Sequence, residues 1–163
     1  MLLKLKNKDK LILDDFIFKC TIGKNGISNK KIEGDGKTPK GKFGIESIYW
    51  RSDRISRPKT KINCKKIKKE SGWCNDPESK FYNKEVKINK GFKCEKLFRK
   101  DKKYDIFIVI NFNRSKIVKY KGSAIFLHLT NNYKKTAGCL AVKRRDMLII
   151  LKLLNRKSKV LIA

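Results

Sequence analysis

Apolar residues in this chain arrive mostly in short runs of strand length, and only one segment repeats them at helical spacing. The runs at 3–5 and 11–22, divided by the polar turn Asn7-Lys8-Asp9-Lys10, are rich in β-branched, aromatic and aliphatic residues and read as strands. Residues 43–50 and 105–110 read the same way, the latter ended by the turn-prone Asn111-Phe112-Asn113-Arg114-Ser115. Residues 124–129 form another such run. Side chains alternate along a strand, so Ile125, Leu127 and Leu129 share one face and Ala124, Phe126 and His128 the other. Met147, Ile150, Leu151 and Leu154 recur at helical spacing and predict a helix of about a dozen residues from near Lys143, with that stripe buried.

Two segments follow neither period. Gly34-Asp35-Gly36-Lys37-Thr38-Pro39-Lys40-Gly41 is a glycine-dense loop whose glycines permit positive φ and whose Pro39 disfavours helix at Thr38. It should be a tight connection feeding the strand at 43–50. Residues 51–103 are polar and basic without clear periodicity, and predict an insertion or a substrate-facing cap over the core. No internal repeat marks a second domain, and 163 residues fit one domain spanning 1–163.

Lysine and arginine number 43 against 15 acidic residues, a formal charge of +28, enough to concentrate anionic partners nonspecifically. Only eight of the 43 are arginine, and a Lys, Ile and Asn excess is what an AT-rich coding sequence produces. Charge alone therefore leaves nucleic acid, an anionic envelope polymer and a simple solubility surface all open. Five cysteines, Cys20, Cys64, Cys74, Cys94 and Cys139, cannot pair completely within one chain. No Cys-x-x-Cys or Cys/His spacing predicts a metal site, and no cofactor motif is present. The pairing state of Cys20, Cys64, Cys74 and Cys94 is left open. No run approaches the length of a membrane span, and the charged N-terminus has no signal-peptide core, which suits a cytoplasmic protein if the chain is complete and not exported.

Chemistry concentrates at Thr136-Ala137-Gly138-Cys139, eleven residues after the sole histidine, His128. A free thiol with a pKa near 8.5 is only roughly 3% thiolate at pH 7, so a nucleophilic cysteine needs a base. His128 can take the thiol proton, hold the thiolate as an ion pair, and return the proton to a leaving amine. Gly138 allows close backbone approach, the amides of Gly138 and Cys139 are candidates to hold an oxyanion, and Thr136 is a candidate to fix the imidazole. Cys74, flanked by Trp73 and Asp76, is the competing nucleophile, but no histidine lies near it in sequence.

Thr38-Pro39-x-Gly41-x-Phe43, His128 after an apolar strand, and Thr136-x-Gly138-Cys139 occur in the order found in L,D-transpeptidase catalytic domains of the YkuD-like fold, which this chain resembles over about residues 22–154. Gly72-Trp73-Cys74-x-Asp76-Pro77, Tyr82-Asn83 and the run from Gly122 to His128 are similar to a compact single-domain branch of that family. The resemblance implies a mainly β fold, a curved sandwich with short helices including one after the cysteine motif. It implies acyl transfer in which Cys139 attacks the third residue of a peptidoglycan stem tetrapeptide, expels terminal D-alanine, and passes the acyl group to an amine to form a 3-3 cross-link, or to water as an L,D-carboxypeptidase. A cell-envelope or periplasmic setting follows from that substrate. Many members carry His-Gly, a second histidine before Gly-Cys, and an arginine two residues after the nucleophile; here those positions read His128-Leu129, Ala137 and Ala141. Arg144 or Arg145 is then the candidate to hold a substrate carboxylate, and Trp73, Tyr82 and Asn83 are candidates to line the groove. Two other readings remain: a different cysteine amidase, and a basic nucleic-acid module in which Tyr120 and Tyr133 stack on bases.

Overall fold

The computed structural model describes residues 1–88 and 93–163. The chain opens with three antiparallel strands, β1 (Leu2–Lys6), β2 (Lys10–Leu13) and β3 (Phe16–Thr21). Leu3, Leu5, Leu11 and Leu13 sit at period two and face inward, while Lys4, Lys6 and Lys10 stay in water and Ile12 is half-buried. Burying each such leucine stabilises the fold by about 1.5–3 kcal/mol. The 11–22 run is not one strand, because Asp14, at φ +50, turns the chain and pairs Leu13 with Phe16. Aspartate tolerates that left-handed conformation, which is why a two-residue hairpin turn fits inside an otherwise apolar stretch.

After the short strands β4 (Ile27–Ser28) and β5 (Thr38–Pro39) comes the longest strand, β6 (Gly41–Trp50). Its start pairs with β14 (Lys159–Ile162) and its end with both β7 (Cys64–Lys66) and β11 (Ile106–Ile110). β11 continues to β12 (Phe126–Leu129), β13 (Leu140–Val142) and β3, so the pairing runs round a closed circuit through β2, β1, β14 and β6. The result is a curved, mainly β fold. Among the described residues the only helix is α1 (Arg144–Leu153), where Met147, Ile150 and Leu151 are buried and Asp146 in the first turn suits the positive end of the helix dipole.

β6, β11 and β12 are covered on both faces. Ile48, Ile108, Ile125, Leu127 and Leu129 face a large aliphatic core, whereas Tyr49, Phe107, Val109 and Phe126 face a second, aromatic one. That second core is closed by residues of the 51–103 segment. Instead of a structureless loop, it contains β7 and a separate three-stranded sheet of β8 (Ser71–Cys74), β9 (Glu85–Lys87) and β10 (Cys94–Lys96). Trp73 from this sheet packs against Tyr49 and Phe126, and Leu97, just after β10, is fully buried in the same core. Strands of three or four residues are too short to show a period.

Candidate active site

The Gly138-Cys139 turn is built by three loops. Thr136 bridges to the segment after β3, its amide donating to Ile22 O at 3.0 Å and its carbonyl accepting from the Lys24 amide at 2.9 Å. Thr38, fully buried, accepts from the Gly23 amide at 2.9 Å and so ties the glycine-dense loop to the same place. Gly138 then passes so close that a Cβ on it would meet Lys37 O at 2.8 Å, and its φ is +147. Only glycine fits there without displacing backbone. The Thr-Pro and Gly-Cys motifs, a hundred residues apart, are two halves of one packed junction.

Thr136 braces this turn directly. Its hydroxyl accepts from the Gly138 amide at 3.1 Å and donates to the Cys139 carbonyl at 2.6 Å. The expected contact with the imidazole is not made. His128 is instead fixed by its own strand, with Nδ1 2.9 Å from the Leu129 carbonyl. A carbonyl only accepts, so Nδ1 carries the proton and Nε2 is left as the basic nitrogen. The Tyr104 ring meets the imidazole edge-on, with centroids 5.4 Å apart.

Cys139 and His128 are both buried and both line one open cavity of about 680 Å³, alongside Thr136, Ala137 and Gly138. No hydrogen bond joins the two side chains. The Cys139 thiol donates to the Ala124 carbonyl at 3.2 Å and accepts from the Phe126 amide at 3.4 Å. Burial, aided by the negative field of Glu95, pushes that thiol up to about 12. Burial pushes His128 down to about 4, against the pull of the Leu129 contact. At neutral pH the resting pair is therefore thiol and neutral imidazole, not the ion pair expected from sequence.

The structure does not bring every expected site residue to this cavity. Trp73, Tyr82 and Asn83 are buried behind its wall. Asn83, at φ +56, accepts from Trp73 Nε1 at 2.9 Å and from the Ala124 amide at 3.0 Å, and Tyr82 accepts from the Gly122 amide at 3.0 Å. These residues thus pin the segment that delivers Ala124 O to the thiol. Arg144 and Arg145 are exposed on α1 and do not line the cavity. Cys74 is fully buried and lies opposite Cys94 in the β8–β10 ladder; all five cysteines are free thiols. Among the described residues no cluster suits a metal ion.

Sequence reasoning missed several cavity residues, chiefly Glu33, Glu95 and Tyr104. Glu95 lies between lysines in a featureless stretch, and only the β8–β10 register, which sets it opposite Trp73, carries it to the site. Ser123 and Asn75 also line the cavity, and both fall inside segments whose motifs were visible.

The family model of the YkuD L,D-transpeptidase catalytic domain matches residues 2–162, nearly the whole chain. The chain belongs to the L,D-transpeptidase family. Its members are cysteine-dependent transpeptidases acting on peptidoglycan, and the mainly β, curved architecture described above is the family's fold. No curated protein and no solved structure matches the chain. No helix among the described residues is long and apolar enough to cross a membrane.

Proposed function

We propose that this L,D-transpeptidase family member forms 3-3 cross-links in peptidoglycan from stem tetrapeptides, through a thioester on Cys139. The observation that carries this reading is that Cys139 and His128 line one cavity, with the imidazole held so that Nε2 is its basic nitrogen. Sγ attacks the carbonyl carbon of the third stem residue while its proton passes to His128 Nε2. The oxyanion is received by the backbone at Cys139, since the Gly138 amide is held by Thr136. Collapse breaks the amide bond, His128 protonates the departing amine, and D-alanine leaves. An acceptor amine then attacks the thioester, gives its proton to His128, and the sulfur leaves to be reprotonated. Water in place of the amine yields a tripeptide, the carboxypeptidase outcome.

Because both groups rest neutral, proton transfer accompanies sulfur attack rather than preceding it. Peptidoglycan stem peptides are the partner, in the cell envelope or periplasm where they occur, and the charge of +28 favours association with other anionic polymers there. The test is incubation with tetrapeptide muropeptides, following D-alanine release and dimer formation by mass spectrometry. Equal behaviour of the wild type and Cys139→Ala refutes the assignment; tripeptide without dimer selects hydrolysis. Another cysteine amidase activity is the outcome if Cys139 is acylated only by non-stem amides. A nucleic-acid module is the outcome if binding persists at physiological salt without any turnover.

A further inference from the structure

Glu33 and Glu95 face the same cavity as Cys139. In a chain with 43 basic residues, neither carboxylate forms an ion pair among the described residues, although eight other acids do. Each is held by a buried tyrosine, Glu33 by the Tyr82 hydroxyl and Glu95 by the Tyr104 hydroxyl. One oxygen of each carboxylate is thereby occupied and the other is left over. The two lie close enough for the charge of Glu33 to oppose ionisation of Glu95. Of the cations lining the cavity, Lys31 pairs with Asp35 at 2.6 Å and Arg99 with Asp101 at 2.6 Å, while Lys102, Lys103, Lys134 and Lys135 pair with neither glutamate.

A second observation points to a ligand. Ser123, only 8% exposed and part of the cavity lining, has an Oγ that lies near the Tyr82 hydroxyl without meeting it or any other group in hydrogen-bond geometry. Asn75 Oδ1, also in the lining, is buried and unpartnered as well. Two spare carboxylate oxygens on half-buried glutamates, a hydroxyl oxygen and an amide oxygen are all acceptors, and the last two are buried without donors, which is costly. A compact cation with three N–H donors answers three of these four at once. A metal ion does not, since no group of three acidic, histidine or cysteine side chains is gathered here among the described residues.

We infer that Glu33, Glu95, Ser123 and Asn75 form a subsite for a primary ammonium group carried by the substrate, adjacent to the bond that Cys139 attacks. The inference rests on the acyl-transfer reading for what lies next to it, but the ammonium site itself is independent of turnover. A bound cation also offsets the negative field of Glu95 at the thiol, so a donor or acceptor lacking the amine forfeits both anchoring and activation.

The test is an NMR titration of the full chain with Nα-acetyl-lysine N-methylamide and with its neutral Nε-acetyl derivative. The expected result is that wild type binds the free amine at least about ten-fold more tightly than the acetylated compound. That preference should vanish in Glu33→Gln and Glu95→Gln, whose amides still accept from the tyrosines, and weaken in Ser123→Ala. Asn75→Ala serves as the additional variant if either glutamine variant does not fold. Equal binding of the two compounds, absence of saturable binding by either, or a preference retained in both glutamine variants overturns the subsite. D-alanine release from tetrapeptides is scored separately. Amine preference without turnover sinks the acyl-transfer reading and spares the subsite; turnover without amine preference does the reverse.

Discussion

The resting state of Cys139 makes a prediction that separates two mechanisms. Burial and Glu95 push its thiol up to about 12, from about 8.5–9 for an ordinary thiol. Three units correspond to about a thousand-fold less thiolate at any pH below 9, leaving about one molecule in 10⁵ ionised at pH 7. Since the thiolate is the species alkylated, the rate at Cys139 should rise about ten-fold per pH unit from 6 to 10 without a plateau. The assay is pulsed labelling with isotope-coded iodoacetamide and peptide mapping, which reads Cys139 separately from Cys20, Cys64, Cys74 and Cys94 in one sample. The slope is the diagnostic, because absolute rates also depend on access and Cys139 is only 8% exposed. Removing the negative field in Glu95→Gln should raise the Cys139 rate at fixed pH while leaving the slope unchanged. A rate that is flat between pH 5 and 8 marks a preformed thiolate–imidazolium pair and refutes the neutral-pair argument.

Other perturbations test the scaffold. Gly138→Ala places a Cβ 2.8 Å from Lys37 O at a φ of +147, so it should cost at least about 1–3 kcal/mol in denaturant melts and abolish D-alanine release. Thr136→Val removes the hydroxyl that joins the Gly138 amide to the Cys139 carbonyl; about 1–3 kcal/mol of stability should go, with activity falling further than stability does. His128 is depressed to about 4, so as pH falls from 6.5 the unfolded chain takes up a proton that the folded imidazole refuses. Stability should therefore be unaffected by this group above pH 6.5 and drop by up to about 3 kcal/mol by pH 4; pH-dependent melts of His128→Gln should lack that component, while the drop from the ion-paired carboxylates remains.

How much of this was legible in the sequence depended on whether a residue's neighbours in space were also its neighbours in chain. The alternation at 124–129 placed His128 opposite the aliphatic face, and the helical stripe after Cys139 was plain, because both are local periods. The Asp14 turn was hidden by the apolar residues on either side of it. Trp73, Tyr82 and Asn83 looked like groove residues because aromatic and amide side chains in a polar stretch resemble a ligand surface. Their partners, Ala124, Gly122 and Phe126, lie about forty or more residues away, and those partners make them a buried clamp.

The same logic explains why Glu95 was invisible and Cys139 was not. A nucleophile motif is marked by glycine, whose requirement is local backbone geometry: Gly138 must be glycine wherever the turn goes. A carboxylate lining a cavity needs no special backbone, only a register that turns it inward. With 43 basic residues in the sequence, a lone acid between lysines reads as a solvated surface charge. In the fold its surroundings invert that reading, since Tyr104 and burial keep Glu95 in the site while Arg99 is held by Asp101. The cavity lining carries Lys31, Arg99, Lys102, Lys103, Lys134 and Lys135 beside Glu33, Glu95 and Asp101, so the two glutamates are a local acidic spot within basic surroundings. Net charge governs which polymers gather at the surface; in the proposed subsite, Glu33 and Glu95 would select the group of a stem peptide held beside the thiol.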